Sequence, residues 1–459
     1  MQPSSTQTWV EDDLSTLDLG DKRRNARAVQ FVESCVRCPG GTIPQVSENN
    51  AEAKANYRLL SNEAVDPDAI RASLQDAAVG RIGDEDVILA PQDTTTLKLH
   101  GLLANQDLGP TGPDGDGHGM FVHSALLVTT EGVPLGLAHQ QCWARTAEDV
   151  GKKHQRKQLP IEEKESYRWI QTFRAVQDAV PEQKLLIQIG DRESDIFELF
   201  AEPRRHNSHL LLRVCQNRCV EGDEGLLWDA VAQMPVALCF TQMVHPGPHI
   251  TVRKAHLELR CGPVAVLPPK HGVHDPSLEP VTLNAIEVRE VDPPQGADPI
   301  LWRLVTDLPI DAAPQARRYV EYYEKRWLIE RYHYVLKSGC KLESTQLRAF
   351  DRLERLLALL SVVALRLLWL TYSARVNGEA PCTVAFSDTE WQVLYRYTKG
   401  REPPPHPPTL REAVRWLGML GGFLARRSDG EPGVKVLWRG LLALHFMIAG
   451  FLLAYPTCG

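Results

Sequence analysis

The chain has 459 residues, of which 43% are hydrophobic and 24% are charged, so it can bury the cores of about three domains. This composition excludes a fibrous or largely disordered protein. The formal net charge of -7 argues against a surface covered everywhere with phosphate-binding cations, so any nucleic-acid surface must be local. Basic side chains cluster at residues 22–27, 152–157 and 317–326, although each cluster could also be a solvated helix face.

The cysteines and the apolar runs favour a cytoplasmic protein with no membrane partner. Cys35 and Cys38 form one C-x-x-C pair, but no second pair lies at the spacing of a zinc site, and we expect reduced thiols. The N-terminus has neither a basic start nor an apolar run, so no secretory signal is expected. Residues 356–370 and 441–455 are apolar but shorter than the roughly 20 residues that span a bilayer, which predicts buried core helices.

The first 80 residues have a helical pattern. Asp21 is positioned to cap a helix at residues 22–35, and Asp66 followed by Pro67 predicts a helix at residues 70–79. Residues 51–60 form a third helical stretch between them. The run KRRNAR lies on the first helix and favours a small DNA-reading module, although the same cations could simply keep a helix soluble.

The pattern changes to strands after Gly83. Strands are predicted at residues 87–90, 121–129 and 133–140. A helix at residues 162–179 then precedes the apolar run KLLIQIGD, which ends in Asp191. This alternation predicts an α/β fold and fits a ribonuclease-H-like core, although many folds share the same order of elements.

The second half of the chain completes a three-part organisation. Residues 210–306 are strand-like and broken by turns, which indicates a β-rich insertion at about residues 215–300. Helices return near residue 312 and continue after a proline-rich linker. We therefore predict a helical domain at residues 1–80, a ribonuclease-H-like domain at residues 81–375, and a helical C-terminal region at residues 376–459.

The segment YEKRWLIERYHYVLK carries four functional groups at helical spacing. On a continuous α-helix, one sector of roughly 60° would hold the side chains of Tyr323, Arg326, Glu330 and Lys337. Arg326 and Glu330 alone could be a surface ion pair worth a few tenths of a kcal/mol.

Two further acids give this helical carboxylate possible partners. Asp93 and Asp191 each follow an apolar strand, where an acid is more often a turn or helix cap. Together with Glu330 they form a set of hard oxygen ligands, which suits two Mg2+ or Mn2+ ions. Such ions serve displacement at phosphorus, and Arg326 and Lys337 would then hold DNA phosphates near the scissile bond.

These residues carry a family resemblance. The pattern Y-x2-R-x3-E-x6-K, met by Tyr323, Arg326, Glu330 and Lys337, is the signature of the DDE transposases of bacterial insertion sequences. More closely, the chain resembles the IS-four family over nearly its whole length. The stretches that carry this resemblance are LGDKRRNAR, QDTTTL, VHSALL, GDRESDI, VTLNAIEV and the late LGGF. In this family a β-rich insertion separates the second aspartate from the glutamate.

The resemblance implies a DNA transposase that works by cut-and-paste chemistry. Water nicks one strand at the transposon end, the freed 3′-OH attacks the opposite strand to form a hairpin, water reopens it, and the end joins target DNA. The implied partners are double-stranded DNA, as inverted-repeat ends and as target, and a second copy of the chain in a synaptic complex. Residues 1–80 would bind the ends, and residues 376–459 would form the dimer.

Further positions are carried over from the family one by one. Trp302 matches a tryptophan on which a flipped base stacks, and Arg213 matches a DNA-contacting arginine. A buried strand tryptophan and a solvated strand arginine are the structural alternatives. Arg24, Arg27 and Arg58 match basic contacts of the N-terminal module.

Phe121 departs from the family pattern. It stands where a relative has a tryptophan that wedges the duplex, and we expect a core phenylalanine instead.

Three competing functions need to be distinguished from a transposase. A plain metal-dependent nuclease would need the same acids, but not Tyr323, Trp302 and an end-binding module together. A catalytically silent DNA-binding protein descended from a transposase would not need the intact acids. A glycosidase with paired carboxylates would leave Arg326 and Lys337 without a role.

Overall fold

The computed structural model describes residues 6–99, 107–112, 117–146, 148, 158–223, 225–244, 253–270, 275, 277–347 and 349–454. The chain divides into two compact units. The first unit combines residues 1–84, 94–151 and 328–459, and the second combines residues 85–93 and 152–327. The predicted basic cluster at residues 152–157 lies outside the described residues.

The helices are, in chain order, α1 (Thr6–Asp13), α2 (Lys22–Arg37), α3 (Ile43–Val46), α4 (Asn50–Ser61), α5 (Pro67–Gly80), α6 (Tyr167–Ala179), α7 (Phe197–Phe200), α8 (Leu227–Gln233), α9 (Ala313–Glu324), α10 (Trp327–Tyr334), α11 (Phe350–Val376), α12 (Asp388–Lys399), α13 (Leu410–Leu420) and α14 (Val434–Ala454). The strands are β1 (Val87–Lys98), β2 (Gly109–Pro110), β3 (His118–Val128), β4 (Pro134–Trp143), β5 (Leu185–Gly190), β6 (Ser208–Arg213), β7 (Val236–Val244), β8 (Arg253–Val266), β9 (Val281–Val291) and β10 (Leu301–Thr306).

The N-terminal helices of the first unit begin where their capping residues predict. The Asp21 carboxylate accepts a hydrogen bond from the backbone N–H of Arg23 at 2.7 Å and starts α2. Asp66 accepts one from the N–H of Asp68 at 2.9 Å and starts α5. Each cap satisfies a backbone donor that the first turn of a helix leaves unpaired. The three predicted helices of this region are therefore confirmed, as α2, α4 and α5.

A β-hairpin of the first unit packs against α5. Strands β3 and β4 pair antiparallel from Phe121 opposite Trp143 to Val128 opposite Pro134, as predicted. A Cβ atom on Gly136 of β4 would lie only 2.5 Å from the Cβ of Ala78 on α5. Because no side chain fits in that space, glycine permits the close approach of helix and strand.

The two long apolar helices of the first unit differ in burial. Both α11 and α14 are long and apolar enough to cross a membrane by length and composition, because each helix extends beyond the apolar run noted in the sequence. The core assignment holds for α11, whose apolar window is 89% buried. It was wrong for α14, whose window is only 22% buried, because α12 and α13 cover part of its surface while Phe446 and Leu453 stay 64% and 85% exposed.

The second unit is built on a mixed sheet. Its strands run in the order β1-β5-β6-β10-β9-β8-β7, with β1, β5 and β6 parallel and the rest antiparallel. Large side chains of α6 and α7, including Trp169, Phe173 and Phe197, pack with Leu212 of β6 in the core of this unit. The predicted α/β class is confirmed, and the region predicted as a β-rich insertion contains β7, β8 and β9. The domain boundaries stay predictions.

Candidate active site

Three sequence-predicted site residues lie on, or directly after, the parallel strands of the second unit. The pairing of β1 with β5 runs from Val87 opposite Leu185 to Pro91 opposite Ile189 and ends two residues before Asp93 and Asp191. The pairing of β5 with β6 reaches Gly190 opposite Leu212, one residue before Asp191 and Arg213. Neighbouring strands lie about 4.8 Å apart, so continuation of this register would set the two carboxylates and the guanidinium in one row.

Asp93 differs in one respect from the sequence-based expectation. It does not end its strand, because β1 continues to Lys98. The N–H of Leu99, just beyond β1, donates to the carbonyl of His118 on β3 at 2.9 Å. Pairing with the neighbouring hairpin thus extends a strand that the apolar run alone would have ended. Asp93 is half-buried.

Asp191 is held in a tight turn directly after β5. One of its carboxylate oxygens accepts the N–H of Glu193 at 2.8 Å and caps the short 3-10 helix Arg192–Ser194. The hydroxyl of Ser194 donates back to the carbonyl of Asp191 at 2.5 Å. A Cβ on Gly190 would lie 2.4 Å from that hydroxyl oxygen, so glycine is needed for the turn to close. The capping role is observed, and it fixes the direction of this carboxylate.

The Tyr323 hydroxyl lies in a buried, positively charged pocket of the second unit. Tyr323 is only 4% exposed, and its hydroxyl makes no hydrogen bond to any described residue. Burial raises the pKa of this phenol, while the nearby Arg326 and Arg213 lower it and Asp191 raises it further. Burial also lowers the pKa of the Arg213 guanidinium, to which Arg192 and Arg326 contribute. A buried hydroxyl beside several guanidiniums makes a site suited to a phosphate.

Trp302 forms one wall beside this pocket. It lies half-buried on β10, and its ring meets the ring of Tyr323 at 6.0 Å between centroids with the planes 65° apart. Arg213 donates from Nη2 to the carbonyl of Leu301 at 3.2 Å, so the same strand also holds the guanidinium. Trp302 is therefore neither fully buried nor free on the surface.

The continuous helix predicted from Tyr323 to Lys337 was wrong. Helix α9 ends at Glu324, and the N–H groups of Lys325 and Arg326 bond to carbonyls three residues back, each at 3.0 Å. The tighter turn interrupts the 100° spacing on which the common face depended. Helix α10 then begins, and a π-helical turn follows at Val335–Gly339.

This break divides the motif between the two units. Tyr323 and Arg326 belong to the second unit, and Glu330 and Lys337 to the first. Glu330 is half-buried in the first turn of α10. Within the described part of the chain, no group of three or more Asp, Glu, His or Cys side chains is arranged to hold a metal ion. The chemistry of the donor set still fits Mg2+ or Mn2+, since all three groups are hard carboxylates.

Lys337 is tied to the second half of β1, within the first unit. Its Nζ donates to the Thr95 hydroxyl at 3.2 Å and lies 3.8 Å from a carboxylate oxygen of Glu343. Side chains alternate along a strand, so Thr95 points to the same face of β1 as Asp93. The structure thereby ties Lys337 to the part of β1 that lies in the first unit.

The three predicted arginines of the N-terminal module differ in their surroundings. Arg24 donates to the carbonyl of Ala64 at 3.1 Å and to that of Leu19, so it supports the local backbone. Arg27 lies 3.7 Å from Glu52. Arg58 is exposed. Of these three arginines, Arg58 is therefore the one that is exposed, whereas Arg24 and Arg27 are half-buried.

Sequence reasoning missed other exposed candidates. Lys54 and Tyr57 of α4 are exposed and share a face with Arg58, at the i, i+3 and i+4 positions of a helix. That spacing could have revealed them. Trp327 is 58% exposed beside Arg326, with the guanidinium carbon 5.7 Å from the ring centroid. The sequence could have indicated Trp327 as a candidate, because this tryptophan lies inside the motif.

Phe121 is a core residue, as expected. It is 7% exposed and stacks on Trp143, its cross-strand partner, at 5.4 Å between ring centroids. The guanidinium of Arg145 covers its ring at 4.2 Å. Both neighbours would have to leave before Phe121 could reach DNA.

Comparison with known families agrees with this arrangement. Residues 6–65 match a transposase DNA-binding family, residues 169–366 match a transposase DDE domain, and residues 362–457 match the dimerisation domain of the Tn5 transposase. The DDE domain implies a ribonuclease-H-like core, consistent with the mixed sheet. Asp191 and Glu330 fall inside the second match, whereas Asp93 precedes it.

The three matches succeed one another in the order of a transposase. They support DNA binding, dimer formation and the general function of a DNA transposase. Placement in the IS-four family stays a prediction. The chain belongs with the DDE transposases and resembles the Tn5 transposase.

Proposed function

We propose that this transposase cuts and joins DNA by metal-dependent phosphoryl transfer, with Asp93, Asp191 and Glu330 as the metal ligands. The observation that supports the proposal is the parallel pairing of β1 with β5, because continuation of its register by two residues would set Asp93 opposite Asp191. When bound, two Mg2+ or Mn2+ ions would stabilise the attacking and leaving oxygens at the scissile phosphate. Glu330, half-buried on α10, supplies the third carboxylate.

The Tyr323 pocket would bind the phosphates next to the scissile bond. Its unpaired buried hydroxyl gains a partner when a phosphate oxygen enters, and Arg213 and Arg326 neutralise the phosphate charge. These interactions fix the strand while leaving its base sequence unread. Lys337 would hold a further phosphate on the Asp93 face of β1.

Trp302 would receive a base that leaves the duplex. Hairpin formation requires the 3′-OH to reach the opposite strand, and a flipped base relieves the resulting crowding. A half-buried indole offers a stacking surface worth about 1 to 3 kcal/mol per base. Nicking, hairpin formation, hairpin opening and strand transfer would all use the same carboxylates.

The N-terminal module would bind the inverted repeats at the transposon ends. Helix α4 presents Lys54, Tyr57 and Arg58 on one exposed face, which combines two phosphate-binding cations with an aromatic ring. We propose this face as the main DNA contact of the module. Arg24 and Arg27 would contribute through the position of α2, because both already contact protein groups.

The exposed side of α14 would form the dimer that joins two ends in a synaptic complex. Phe446 and Leu453 are exposed, and the helix lies within the matched dimerisation domain. Exposed apolar side chains that form a continuous patch indicate an interface.

A catalytically silent DNA-binding protein is the competing function. One observation favours it: the described acids form no metal-holding cluster of three. It would bind the same ends and form the same dimer, but it would not cleave.

One experiment decides between the two functions. Purified protein is incubated with MnCl2 or MgCl2 and linear DNA that carries the sequences flanking the reading frame. We expect wild-type protein to nick at the ends, and Asp191→Asn to bind the ends but lose nicking by several orders of magnitude. Asp178→Asn, the same change at an exposed site on α6, is the control and should cleave normally. Normal nicking by Asp191→Asn would overturn the assignment, and no nicking by wild type would favour the silent protein.

A further inference from the structure

We propose that Asp195 is a positioning residue, which fixes the turn carrying Asp191 against the loop that follows Arg213. This inference rests on the proposed function of those two residues. Asp195 lies four residues after Asp191, at the end of the short 3-10 helix, and its side chain is fully buried in the second unit. Both of its carboxylate oxygens accept hydrogen bonds from the segment after β6, so we infer that any effect passes through the groups that it holds.

The carboxylate of Asp195 accepts hydrogen bonds from the segment after β6. One oxygen accepts the N–H groups of Cys215 and Gln216, both at 2.8 Å. The other accepts Nε of Arg218 at 2.7 Å. The backbone carbonyl of Asp195 accepts from the same guanidinium at 2.6 Å and from the Gln216 side chain at 2.9 Å. Five donors from one loop thus converge on a single residue.

These bonds have a geometric consequence for the row of site residues. Asp191 and Arg213 end neighbouring parallel strands, where sheet pairing no longer holds the chain. Beyond that point, Asp195 supplies the connection between the two loops. A further bond, from the Cys215 thiol to the Arg192 carbonyl at 3.6 Å, ties the same two segments. Loss of the carboxylate would free both loops at the edge where the aspartate and the guanidinium meet.

An ionised carboxylate suits this position better than its amide. Asparagine would direct an NH2 group toward either the two backbone N–H donors or the arginine, since it has only one acceptor oxygen. A buried donor without an acceptor is destabilising, so the loops would move apart to admit water.

The same unit contains a matched control at the other end of β6. Asp307 is a half-buried carboxylate that also joins two segments: it accepts hydrogen bonds from the N–H of Leu210 at 2.7 Å, Nε of Arg204 at 3.0 Å, and Nδ1 of His209 at 3.1 Å. It lies near the beginning of β6, whereas Asp195 lies beyond its end. A purely structural role predicts the same consequences for both carboxylates, and a positioning role predicts different ones.

The test compares Asp195→Asn with Asp307→Asn in the full-length protein. Melting temperature, affinity for end DNA, the single-turnover nicking rate at saturating DNA, and the Mn2+ concentration for half-maximal rate are measured for each. We expect both variants to melt at lower temperature and to bind ends within about twofold of wild type. Asp195→Asn should nick about 10- to 100-fold more slowly and need more Mn2+, as supporting residues around metal ligands typically do. Asp307→Asn should nick at nearly the wild-type rate.

Other outcomes would overturn the inference. Equal nicking rates for the two variants would reduce Asp195 to a stabilising residue. If Asp195→Asn does not fold, Arg218→Gln removes two of the five donors and should give a smaller change in the same direction; a wild-type Mn2+ requirement in that variant would also defeat the inference. Either result leaves the proposed function intact as long as Asp191→Asn fails to nick, so the two failures are distinguishable.

Discussion

The indole of Trp302 lies edge-on to the phenol ring of Tyr323, with the ring centroids 6.0 Å apart. The contact buries the ring of Tyr323 while its hydroxyl stays without a hydrogen bond among the described residues. A buried unpaired hydroxyl destabilises a fold unless something else enters to satisfy it. The Tyr323 hydroxyl oxygen is therefore an atom that we expect to contribute to function without contributing to the stability of the fold.

Replacement of Tyr323 by phenylalanine should test that separation. The change removes a hydroxyl that has no partner, so we expect the free energy of unfolding to stay equal or to rise slightly. Nicking should fall about 10- to 100-fold, because a group placed to bind the phosphate is gone.

The matched control is Tyr319→Phe on the same helix. The Tyr319 hydroxyl donates to the carbonyl of Pro309 at 2.9 Å, so its loss should cost about 1 kcal/mol of stability and leave nicking unchanged. Thermal melts and single-turnover assays give both quantities. If Tyr323→Phe is less stable and fully active, the hydroxyl is structural.

Glu330→Gln should retain end binding and lose cleavage by several orders of magnitude, because one proposed metal ligand becomes neutral. Gel-shift and nicking assays on the same DNA measure the two effects. Glu321→Gln on α9 makes the same chemical change where the acid only pairs with Arg317 at the surface, at 3.3 Å. Unimpaired nicking by Glu330→Gln would remove this residue from the site.

Arg326→Ala should weaken end complexes and reduce their dependence on salt. Loss of one phosphate contact lowers the slope of log affinity against log salt concentration by about 1. Arg318→Ala, an exposed arginine on α9, is the comparison. Binding titrations between low and moderate salt supply the slopes, and identical slopes for wild type and Arg326→Ala would contradict a phosphate role.

Phe446→Ser should weaken the dimer without unfolding the chain. Phe446 is 64% exposed on α14, so its replacement removes little from the core. The serine would interrupt the apolar surface that we propose as the interface. Sedimentation of the protein with and without end DNA reports the change, and Tyr397→Ser, a 62% exposed aromatic on α12, is the control. A dimer of undiminished affinity would move the interface elsewhere.

Acid should destabilise the first unit through the buried His333 and the half-buried His139. Burial lowers the pKa of His333 to about 3 and that of His139 to about 4, from an ordinary value of 6.5. Below pH 6.5 the unfolded chain binds protons that the folded chain does not, so stability falls as the pH drops from 6.5 toward these values. At pH 5 each histidine should cost about 2 kcal/mol.

A non-titrating variant isolates this effect. His333→Gln should melt with a smaller shift between pH 7.5 and pH 5 than wild type does. Melting curves at several pH values supply the comparison. An unchanged shift would mean that His333 is already accessible to protons in the folded protein.

Local chemistry explains what the sequence could predict. Asp21 and Asp66 announce helix starts because a carboxylate caps backbone groups only two residues away. The apolar runs before Asp93 and Asp191 likewise predict the two strands, β1 and β5, that pair in parallel. The helix starts depend on contacts within a few residues, and the strands depend on the pairing of one apolar run with another.

Tertiary contacts explain the rest. Pairing beyond Asp93 extends β1. Two backbone hydrogen bonds between residues three apart interrupt the helix before Trp327. The amino-acid composition around these positions predicts neither feature. The exposure of α14 depends on which helices pack against it. Asp195 could have been noticed as a second aspartate in GDRESDI, but its donors lie on a loop that only the fold brings near.

The row of Asp93, Asp191 and Arg213 also restricts how these strands can vary in length. A strand turns successive side chains to opposite sides of the sheet. Deleting a single residue between Val87 and Asp93 would therefore direct the first acid away from the second, even with every functional side chain intact. Insertions and deletions are tolerable in the loops of this sheet. Along β1 and β5, however, only a change by an even number of residues before the acid would keep its side chain on the same face of the sheet.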